Sequence, residues 1–415
     1  MKVLVVGAGG REHAICWKLS QSKLLQELYC APGNPGMADL AQLVSINVSE
    51  IDRLAEFAES KAIDLTVIGP EIPLVNGIVD VFQARGLAVF GPAQVCARLE
   101  GSKSFAKEIM EAAGVPTAGW KSFSDHDSAR SYLNTISLPV VLKADGLAAG
   151  KGVFVCHDSK EVNDGLKAIF EDLGAQNMVV EEFLDGTEAS LIVAVGNGQI
   201  VPLASSHDYK RIAVGDQGPN TGGMGSVSPT PRLTAAQEQE AIEAVIRPVL
   251  RELKKRGLHY KGFLYAGLML SAEGLLSVLE FNVRLGDPEA QAILRRLDSD
   301  FLELLHSLLN GQSFQAEWST DAAICLVLAA GDYPRSGSYG AEITGISEAT
   351  RLPGVEVFHA GTSMNEQGKI VTSGGRVLNV TARAASIEQA RSVVFQAASS
   401  INFQGMQYRS DIARK

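Results

Sequence analysis

Cysteine is scarce in this sequence, and its five residues are scattered singly along 415 positions. No two of them have the C-x-x-C spacing of a zinc site or a redox motif. The disulfide frameworks of small secreted domains need a much denser set of cysteines. We therefore expect free thiols and a protein of the reducing cytoplasm.

Basic residues are in the minority, with 37 Lys and Arg against 47 Asp and Glu and a formal net charge of -10 at pH 7. Proteins that bind the nucleic-acid backbone generally present a basic face to it. We therefore expect no nucleic-acid partner. Any anionic ligand of this chain must meet positive charge that is concentrated locally.

Long apolar runs are also missing. The longest, over residues 322–331, is about half the length that spans a bilayer. The opening MKVLVVGAGGREHA turns to glycine and charge after four apolar residues, unlike a secretory signal. Neither H-E-x-x-H nor G-x-S-x-G occurs, which argues against a zinc protease or a serine hydrolase. We expect no membrane partner and, with no long apolar face in evidence, a monomer.

The residue patterns predict a multidomain protein that combines α/β and α+β units. A length of 415 residues suggests two to four domains at roughly 150 residues each. Residues 1–101 alternate short apolar runs with helical patterns, which predicts an α/β domain with a parallel sheet. Residues 102–311 contain hairpin-like strands and a helix over 234–256, and residues 312–415 have a compact α+β pattern.

Three turn-rich loops follow strands of the first part: GAGGRE (7–12), APGNPG (31–36) and GPEIPL (69–74). Loops at the carboxyl ends of parallel strands share one edge of the sheet, where ligands bind. The first loop departs from a dinucleotide fingerprint at Glu12, and no acidic residue ends the second strand, so a nicotinamide cofactor is disfavoured. Its glycines suit a sugar phosphate beside Arg11, and a purely structural turn is the alternative.

A glycine-rich basic loop, LKADGLAAGKGV, covers residues 142–153. It lacks the spacing and the following Ser or Thr of a P-loop, and a strand pattern follows it. Such a loop can fold its N–H groups over nucleotide phosphates while Lys143 reaches in from the strand. The alternative is an ordinary glycine hairpin.

Strand alternation in SVLEFNVRL (277–285) places Glu280, Asn282 and Arg284 on one face and apolar residues on the other. A carboxylate and an amide oxygen suit magnesium, which takes its other ligands from phosphates and water. The alternative is a solvent-exposed polar face with an incidental ion pair.

Two further segments are candidates for ligand contact. The segment EEF (181–183) resembles a linker that meets an adenine edge, with Glu188 placed for ribose hydroxyls, although surface carboxylates are the simpler interpretation. Residues 205–231 are predicted to be a long structureless loop that carries HDYKR (207–211) and GPNTGGMG (218–225). Loops of that length in compact domains are usually functional.

Taken together, these motifs resemble the phosphoribosylamine–glycine ligase family of the ATP-grasp superfamily. The likeness runs from VVGAGGREHA through LEGSKSFAK, VVEEFLDGTEAS and EFNVRLGDPE to GGRVLNVTA. It implies an N-terminal α/β domain, a two-lobed ATP-grasp core with a nucleotide-lid lobe at about 120–187, and a C-terminal domain. It also implies ligation of glycine to 5-phosphoribosylamine, with ATP as co-substrate and Mg²⁺ or Mn²⁺ as the metal.

The resemblance also assigns roles to residues. The implied nucleotide contacts are Lys103, Lys143, Asp145, Gly146, Gly150, Lys151, Gly152, Glu181, Glu182, Phe183, Leu184 and Glu188. The implied metal ligands are Glu280 and Asn282, and the implied catalytic residues are Arg284, Asp208 and Lys210. The implied substrate contacts are Gly9, Gly10, Arg11, Asn34, Pro70, Glu71, Arg211, Gly222, Gly223 and Met224.

Four positions depart from the family pattern. Tyr209 stands where histidine is usual, Leu285 replaces a phenylalanine, Ala290 replaces a threonine, and Ala413 stands where glycine is common. Another ATP-grasp ligase, such as a biotin-independent purine carboxylase or a formyl-phosphate-using transformylase, is the nearest alternative. The HDYKR and GPNTGGMG segments argue against both. A non-catalytic nucleotide sensor is the alternative from another class, but it need not keep Glu280, Asn282 and Arg284.

Overall fold

The computed structural model describes residues 1–148 and 152–414. The strands of these residues are β1 (Lys2–Gly7), β2 (Glu27–Pro32), β3 (Gln42–Leu43), β4 (Leu65–Ile68), β5 (Val89–Phe90), β6 (Trp120–Phe123), β7 (Val140–Ala144), β8 (Val153–Cys156), β9 (Met178–Glu182), β10 (Thr187–Gly196), β11 (Gln199–Pro202), β12 (His207–Asp208), β13 (Arg211–Ala213), β14 (Gln217–Asn220), β15 (Gly225–Ser228), β16 (Gly262–Leu270), β17 (Leu276–Asn282), β18 (Ala322–Ala329), β19 (Val355–His359), β20 (Thr362–Met364), β21 (Ile370–Thr372) and β22 (Arg376–Ala384).

The helices of the described residues are α1 (Gly10–Leu19), α2 (Ile51–Lys61), α3 (Glu71–Val75), α4 (Ile78–Ala84), α5 (Gln94–Gly101), α6 (Lys103–Ala113), α7 (His126–Leu133), α8 (Ser159–Lys167), α9 (Ala235–Ala241), α10 (Arg247–Lys255), α11 (Glu289–Arg296), α12 (Phe301–Leu309), α13 (Ile346–Thr350) and α14 (Ile387–Ser400). A 3-10 turn covers Pro35–Met37, and π-helical turns cover Ala168–Asp172 and Ile242–Ile246. Among these helices none is both long and apolar enough to cross a bilayer.

The N-terminal unit is built on a parallel sheet of order β3-β2-β1-β4-β5. Residues 3–6 of the central strand are fully buried, as expected for a parallel strand covered on both faces. Helices α1, α2 and α4 follow the predicted helical patterns. The predicted α/β domain is confirmed, and the loops after β1, β2 and β4 share one edge of its sheet.

An antiparallel sheet of order β11-β10-β16-β17 forms the centre of the molecule. Its apolar residues belong to the same two buried clusters as residues of β1, so the central sheet and the N-terminal unit are joined by continuous cores. This shared packing fixes the parallel-sheet edge relative to β17, the strand that carries Glu280 and Asn282.

A lobe formed by the sheet β6-β9-β7-β8 with helices α7 and α8 has a core of its own. Leu142, Leu166 and Val180 are among the buried residues of that core. The lobe therefore coheres around separate apolar packing, and we call it the lid lobe. Its β7 and β8 flank the glycine-rich loop, of which residues 149–151 lie outside the described part of the chain.

The C-terminal sheet has the order β12-β15-β18-β22-β19 and is covered by α14. Its strands β12 and β15 come from residues 205–231, so the prediction of a structureless loop there is wrong. The backbone groups of Gly225–Ser228 pair with β18, which satisfies hydrogen bonds that a buried loop would leave unmade. A small hairpin of β13 and β14 lies between these strands.

Candidate active site

Strand β17 and the two residues after it carry polar side chains on one face. Phe281 and Val283 are buried in the shared core, whereas Glu280, Asn282 and Arg284 are half-buried on the opposite side. The alternation predicted from the sequence is therefore present. Gly267 lies opposite Glu280 on β16, and its missing side chain leaves room beside the carboxylate.

Glu280 is an ionised carboxylate among cations. Its Oε1 lies 3.5 Å from Nζ of Lys210. Burial alone would raise the pKa of Glu280, but Lys210, Lys143 and Lys103 lower it to about 2. The Oδ1 of Asn282 accepts a hydrogen bond of 3.1 Å from Arg284.

The side-chain oxygens of Glu280 and Asn282 are compatible with binding of a divalent cation. No group of three or more His, Cys, Asp or Glu side chains within residues 1–148 and 152–414 is arranged to hold a metal ion by itself. A cation at Glu280 and Asn282 must therefore take further ligands from phosphates and water, as Mg²⁺ usually does.

Arg284 is held between two carboxylates, and we call Arg284, Glu71 and Glu100 the acidic clamp. Its Nη2 lies 2.7 Å from Oε1 of Glu100, and its Nε lies 3.3 Å from Oε2 of Glu71. The second oxygen of Glu100 accepts a hydrogen bond of 2.8 Å from the N–H of Val283. Burial alone would lower the pKa of Arg284, but the two carboxylates raise it above its ordinary value.

The pKa values of the two carboxylates in the acidic clamp are shifted in opposite directions. Burial would raise the pKa of Glu71, but Arg284 and Arg11 bring it below its ordinary value. Burial dominates at Glu100 and raises its pKa despite Arg284. Sequence reasoning missed Glu100, although it lies in the quoted motif LEGSKSFAK, three residues before Lys103.

A second buried ion cluster lies between α6 and the lid lobe, and we call Lys107, Glu181 and Lys143 the basic clamp. Lys107 Nζ lies 2.9 Å from Glu181 Oε2, and Lys143 Nζ lies 2.9 Å from Glu181 Oε1. The side chain of Glu181, on β9, thus points into the protein, between Lys143 of β7 and Lys107 of α6. Sequence reasoning missed Lys107, whose four-residue spacing from Lys103 on α6 was the available signal.

Lys103 and Asp145 connect α6 to the glycine-rich loop. The carboxylate of Asp145 accepts hydrogen bonds from the backbone of Lys103 and Ser104, at 2.5 and 3.4 Å, and so caps the helix. Lys103 Nζ donates to the carbonyl of Gly146 at 2.9 Å. The carbonyl of Gly152 accepts a 2.8 Å bond from β7. The predicted contacts Gly150 and Lys151 lie outside the described residues.

The other predicted nucleotide residues lie along the linker between β9 and β10. Glu182 is exposed and accepts a hydrogen bond of 3.1 Å from the N–H of Gly119. Phe183 is exposed and Leu184 half-buried. Glu188 lies farther along β10, where its Oε2 is 3.7 Å from Lys210 Nζ.

Lys210 and Asp208 lie on the segment of residues 207–225, which we call the substrate loop. Lys210 reaches both Glu188 and Glu280. Burial would lower the pKa of Lys210, but Asp208, Glu280 and Glu188 raise it well above its ordinary value. Burial raises the pKa of Asp208 to about 7, against the opposing effect of Lys210. Asp208 therefore titrates near neutral pH.

The far part of the substrate loop is anchored by the C-terminal unit. The N–H of Gly222 donates to Tyr333 Oη at 2.7 Å, and the carbonyl of Gly222 accepts from Arg376 at 2.6 Å. Gly223 lies at a positive φ of 112° against Pro288. Met224 is buried, and its N–H donates to the carbonyl of Tyr209 at 2.8 Å.

The near part of the substrate loop is held by residues 409–413. Arg409 is 1% exposed and donates to the carbonyl of Arg211 at 3.0 Å. Its guanidinium lies 5.0 Å from the ring centre of Tyr209. Oη of Tyr209 accepts a hydrogen bond of 2.9 Å from the N–H of Ala413, which adopts a positive φ of 58°. Two of the four positions that depart from the family pattern, Tyr209 and Ala413, are therefore in contact.

The N-terminal loops hold the remaining predicted substrate residues. The N–H of Gly9 and Nε of Arg11 both donate to the buried carboxylate of Glu12, at 2.6 and 2.5 Å. Gly10 begins α1 so close to Asn379 that a Cβ would lie 2.0 Å from its Nδ2. Glu12 thus already holds two of the groups that would bind a phosphate.

Asn34 and Pro70 complete this edge. The amide of Asn34 donates to the carbonyls of Ala8 and His359, each at 2.8 Å, and so ties the edge to the C-terminal unit. Pro70 precedes α3 and positions Glu71 at its first residue. The structure brings these residues to the cleft, while the side chain of Asn34 is already occupied by the protein.

Comparison with known proteins places every part of the chain in one family. Models described as phosphoribosylglycinamide synthetase match it over residues 1–100 (N domain), 101–290 (ATP-grasp domain) and 323–415 (C domain). A phosphoribosylamine–glycine ligase from Caldanaerobacter subterraneus is 47% identical, and the alignment covers 100% of this chain and 99% of that protein.

Solved structures give the same result. The phosphoribosylamine–glycine ligase of Thermotoga maritima superposes with a TM-score of 0.86 at 35% identity, over 99% of this chain and 100% of that one. The N5-carboxyaminoimidazole ribonucleotide synthetase of the same organism shares the fold, with a TM-score of 0.68 at 18% identity over 97% and 99% of the two chains. This chain belongs to the phosphoribosylglycinamide synthetase family.

Proposed function

We propose that this chain ligates glycine to 5-phospho-D-ribosylamine with the cleavage of ATP, giving glycinamide ribonucleotide, ADP and phosphate. This is the second step of de novo purine biosynthesis. One observation carries the proposal. The chain matches the family in all three domains, and the polar face of β17 lies between Lys103 and Lys143 on one side and the substrate loop on the other.

The chemistry must activate a poor electrophile. The carboxylate of glycine attacks the γ-phosphorus of ATP, so ADP leaves and glycyl phosphate forms. The amine of phosphoribosylamine then attacks the acyl carbon, and the resulting tetrahedral intermediate expels phosphate. Phosphoryl transfer depends mainly on positioning and charge neutralisation, which are the properties of a cleft lined by Lys103, Lys143 and Arg284.

Glu280 and Asn282 are the residues we propose for holding Mg²⁺ or Mn²⁺. A divalent ion held there would supply positive charge that neutralises the nucleotide phosphates during transfer. The chain supports this role by keeping Glu280 ionised at all physiological pH values, since its pKa is lowered to about 2.

Arg284 and Asp208 are the residues we propose for the acyl-transfer step. Arg284 donates to the acyl phosphate and to the oxyanion of the tetrahedral intermediate. Asp208, with a pKa of about 7, suits the acceptance of a proton from the attacking amine. Lys210 keeps a positive charge beside it. The departing phosphate is the alternative proton acceptor.

The linker is the proposed site of adenine and ribose, with the backbone of Glu181 to Leu184 along the base and the Glu188 side chain at the ribose hydroxyls. The proposed sugar-phosphate site lies between the N-terminal loops and the substrate loop. Since Asn34 and Arg11 bond the protein there, we assign them the task of shaping this site.

The proposed organisation has three units, 1–101, 102–311 and 312–415, with the lid lobe at about 120–187. The family-model boundaries near residue 100 and the separate core of the lid lobe support it. All five cysteines are buried and unpaired, which supports the cytoplasm as the compartment. We propose a monomer as the acting form.

The test is ADP release in the presence of magnesium, with glycine and freshly generated phosphoribosylamine omitted in turn. ADP should form only when both are present, together with glycinamide ribonucleotide. Turnover with bicarbonate or formate in place of glycine would move the assignment to another ATP-grasp ligase. Nucleotide binding without turnover under any combination would favour a sensor.

A further inference from the structure

The basic clamp contains a surplus of positive charge. Lys107, Glu181 and Lys143 have side chains that are 2%, 3% and 9% exposed, so two cations surround one anion almost out of contact with water. A buried charge is costly unless an opposite charge compensates it. The three clamp residues therefore carry a net charge of one positive, which is available to Glu280 and to a further anion at whichever end is open.

The Lys107 end of the clamp is closed. Its Nζ donates to Thr117 Oγ1 at 2.7 Å, and Thr117 Oγ1 donates to the carbonyl of Val278 at 2.7 Å. This chain of hydrogen bonds ties α6 to β17 beneath the cleft. Lys107 therefore has no direct path to a ligand.

The Lys143 end is the one that faces the nucleotide site. Lys143 donates to the carbonyl of Leu279 at 3.1 Å, and its contact with Glu181 Oε1 has ion-pair distance without hydrogen-bond angles. Its three N–H groups are therefore not all committed. Lys143 also helps burial to lower the pKa of Lys103, so the two ammonium groups act on the same space.

We propose that Lys107 is a positioning residue for the nucleotide, although it does not touch it. Lys107 neutralises Glu181, and the charge of Lys143 is thereby left for a nucleotide phosphate. Without Lys107, Glu181 and Lys143 would form a neutral pair and the surplus would vanish. The inference rests on the proposed function only in taking the anionic ligand to be a nucleoside polyphosphate.

The test is binding of MgADP to the full-length chain by titration calorimetry, without glycine or phosphoribosylamine. Lys107→Met keeps most of the length of the side chain and removes its charge. The dissociation constant of MgADP should rise by about tenfold or more, as expected when Lys143 loses one charge-assisted contact with the nucleotide. In turnover the KM for ATP should rise similarly, while kcat and the KM for glycine stay within about threefold of the wild type.

The double variant Lys107→Met/Glu181→Gln separates positioning from a structural role. It leaves Lys143 as the only charged residue of the clamp and so restores the wild-type net charge of one positive. Its affinity for MgADP should return to within about threefold of the wild type. Wild-type affinity in Lys107→Met, or a loss that the second substitution does not rescue, would overturn the proposal.

A poorly folded Lys107→Met protein would still leave a decisive comparison. Glu181→Gln retains both lysines and should bind MgADP at least as tightly as the double variant. Weaker binding by Glu181→Gln would contradict the charge argument. Absence of ligase turnover in the wild type would refute the proposed function but leave these binding measurements intact.

Discussion

The acidic clamp and the basic clamp are opposites in charge. In the first, one guanidinium lies between two carboxylates, and in the second, one carboxylate lies between two ammonium groups. Strand β17 joins them, because the carbonyls of Val278 and Leu279 accept from the basic side and the N–H of Val283 donates to Glu100. Glu280 lies between the two.

The difference matches the two kinds of ligand that the proposed reaction requires. The positive surplus of the basic clamp suits a polyphosphate, which carries several negative charges. The acidic clamp instead fixes the planar guanidinium of Arg284 in one orientation, which a lysine in its place would not offer. Substitutions on either side should therefore affect different kinetic constants, and the following predictions test that separation.

The largest effect is expected for Arg284→Ala. Loss of a donor to the transition state should lower kcat by about 10²- to 10³-fold. The affinity for MgADP, measured by calorimetry, should stay within about threefold of the wild type because the basic clamp is untouched. A comparable loss of nucleotide affinity would show that the two clamps do not act separately.

A smaller effect is expected for Glu280→Gln, between the clamps. Loss of the anionic ligand should raise the magnesium concentration for half-maximal activity by about tenfold or more. Glu188→Gln is the matched control, because Glu188 contacts the same Lys210 but lies on β10. It should raise the KM for ATP and leave the magnesium dependence unchanged. Equal shifts in both variants would argue against a metal at Glu280.

Glu100→Gln should act more mildly and through Arg284. The amide keeps an acceptor for the N–H of Val283 but loses the charge that holds Nη2. Glu71 still pairs with Arg284, so we expect kcat to fall by about tenfold. The KM for ATP should not change. Steady-state kinetics with ATP and glycine varied separately measures both, and Arg284→Ala/Glu100→Gln should be no slower than Arg284→Ala alone.

The smallest effect at neutral pH is expected for His13 and His359, two buried and uncharged histidines that join the N-terminal unit to the C-terminal unit. Nδ1 of His13 accepts from the N–H of His359 at 2.8 Å. Burial, aided by His359, lowers the pKa of His13 to about 3, and burial lowers that of His359 to about 4. Between pH 6.5 and these pKa values, the unfolded chain binds more protons than the folded chain does. The free energy of unfolding therefore falls as the pH falls.

Urea unfolding at pH 7 and pH 5 measures this loss, which should approach about 2 kcal/mol for each histidine. Burial lowers the pKa of a third histidine, His207, to about 3 as well. His13→Asn keeps an acceptor oxygen without a titrating ring and should remove about a third of the histidine contribution, or about 2 kcal/mol. The exposed His126 is the control, since His126→Asn should leave the difference unchanged. An unaltered pH dependence in His13→Asn would place the acid sensitivity elsewhere.

The sequence predicted those features of the site whose pattern is local. Alternation along residues 277–285 is a property of the strand itself, so it placed Glu280, Asn282 and Arg284 on one face. The parallel sheet of the N-terminal unit followed from alternating strand and helix patterns, and the family comparison confirmed the fold class. The roles of the individual residues remain predictions.

The features that sequence reasoning missed depend on distant contacts. Glu100 matters because Val283 and Arg284 approach it from 183 and 184 positions later. Lys107 matters because Glu181, on another lobe, needs a counter-charge. Residues 225–228 form a strand because β18 supplies its partner about a hundred residues on. Neither composition nor local periodicity carries this information.

The anchoring of the substrate loop by residues 409–413 has a consequence for the timing of synthesis. Arg409 and Ala413 hold Arg211 and Tyr209 across 198 and 204 positions of the chain. A growing polypeptide folds its earlier domains first, so the nucleotide side can form while these anchors do not yet exist. The near part of the substrate loop, at Tyr209 and Arg211, gains this last support only when those anchors emerge from the ribosome. A nascent chain should therefore bind nucleotide before it can catalyse ligation.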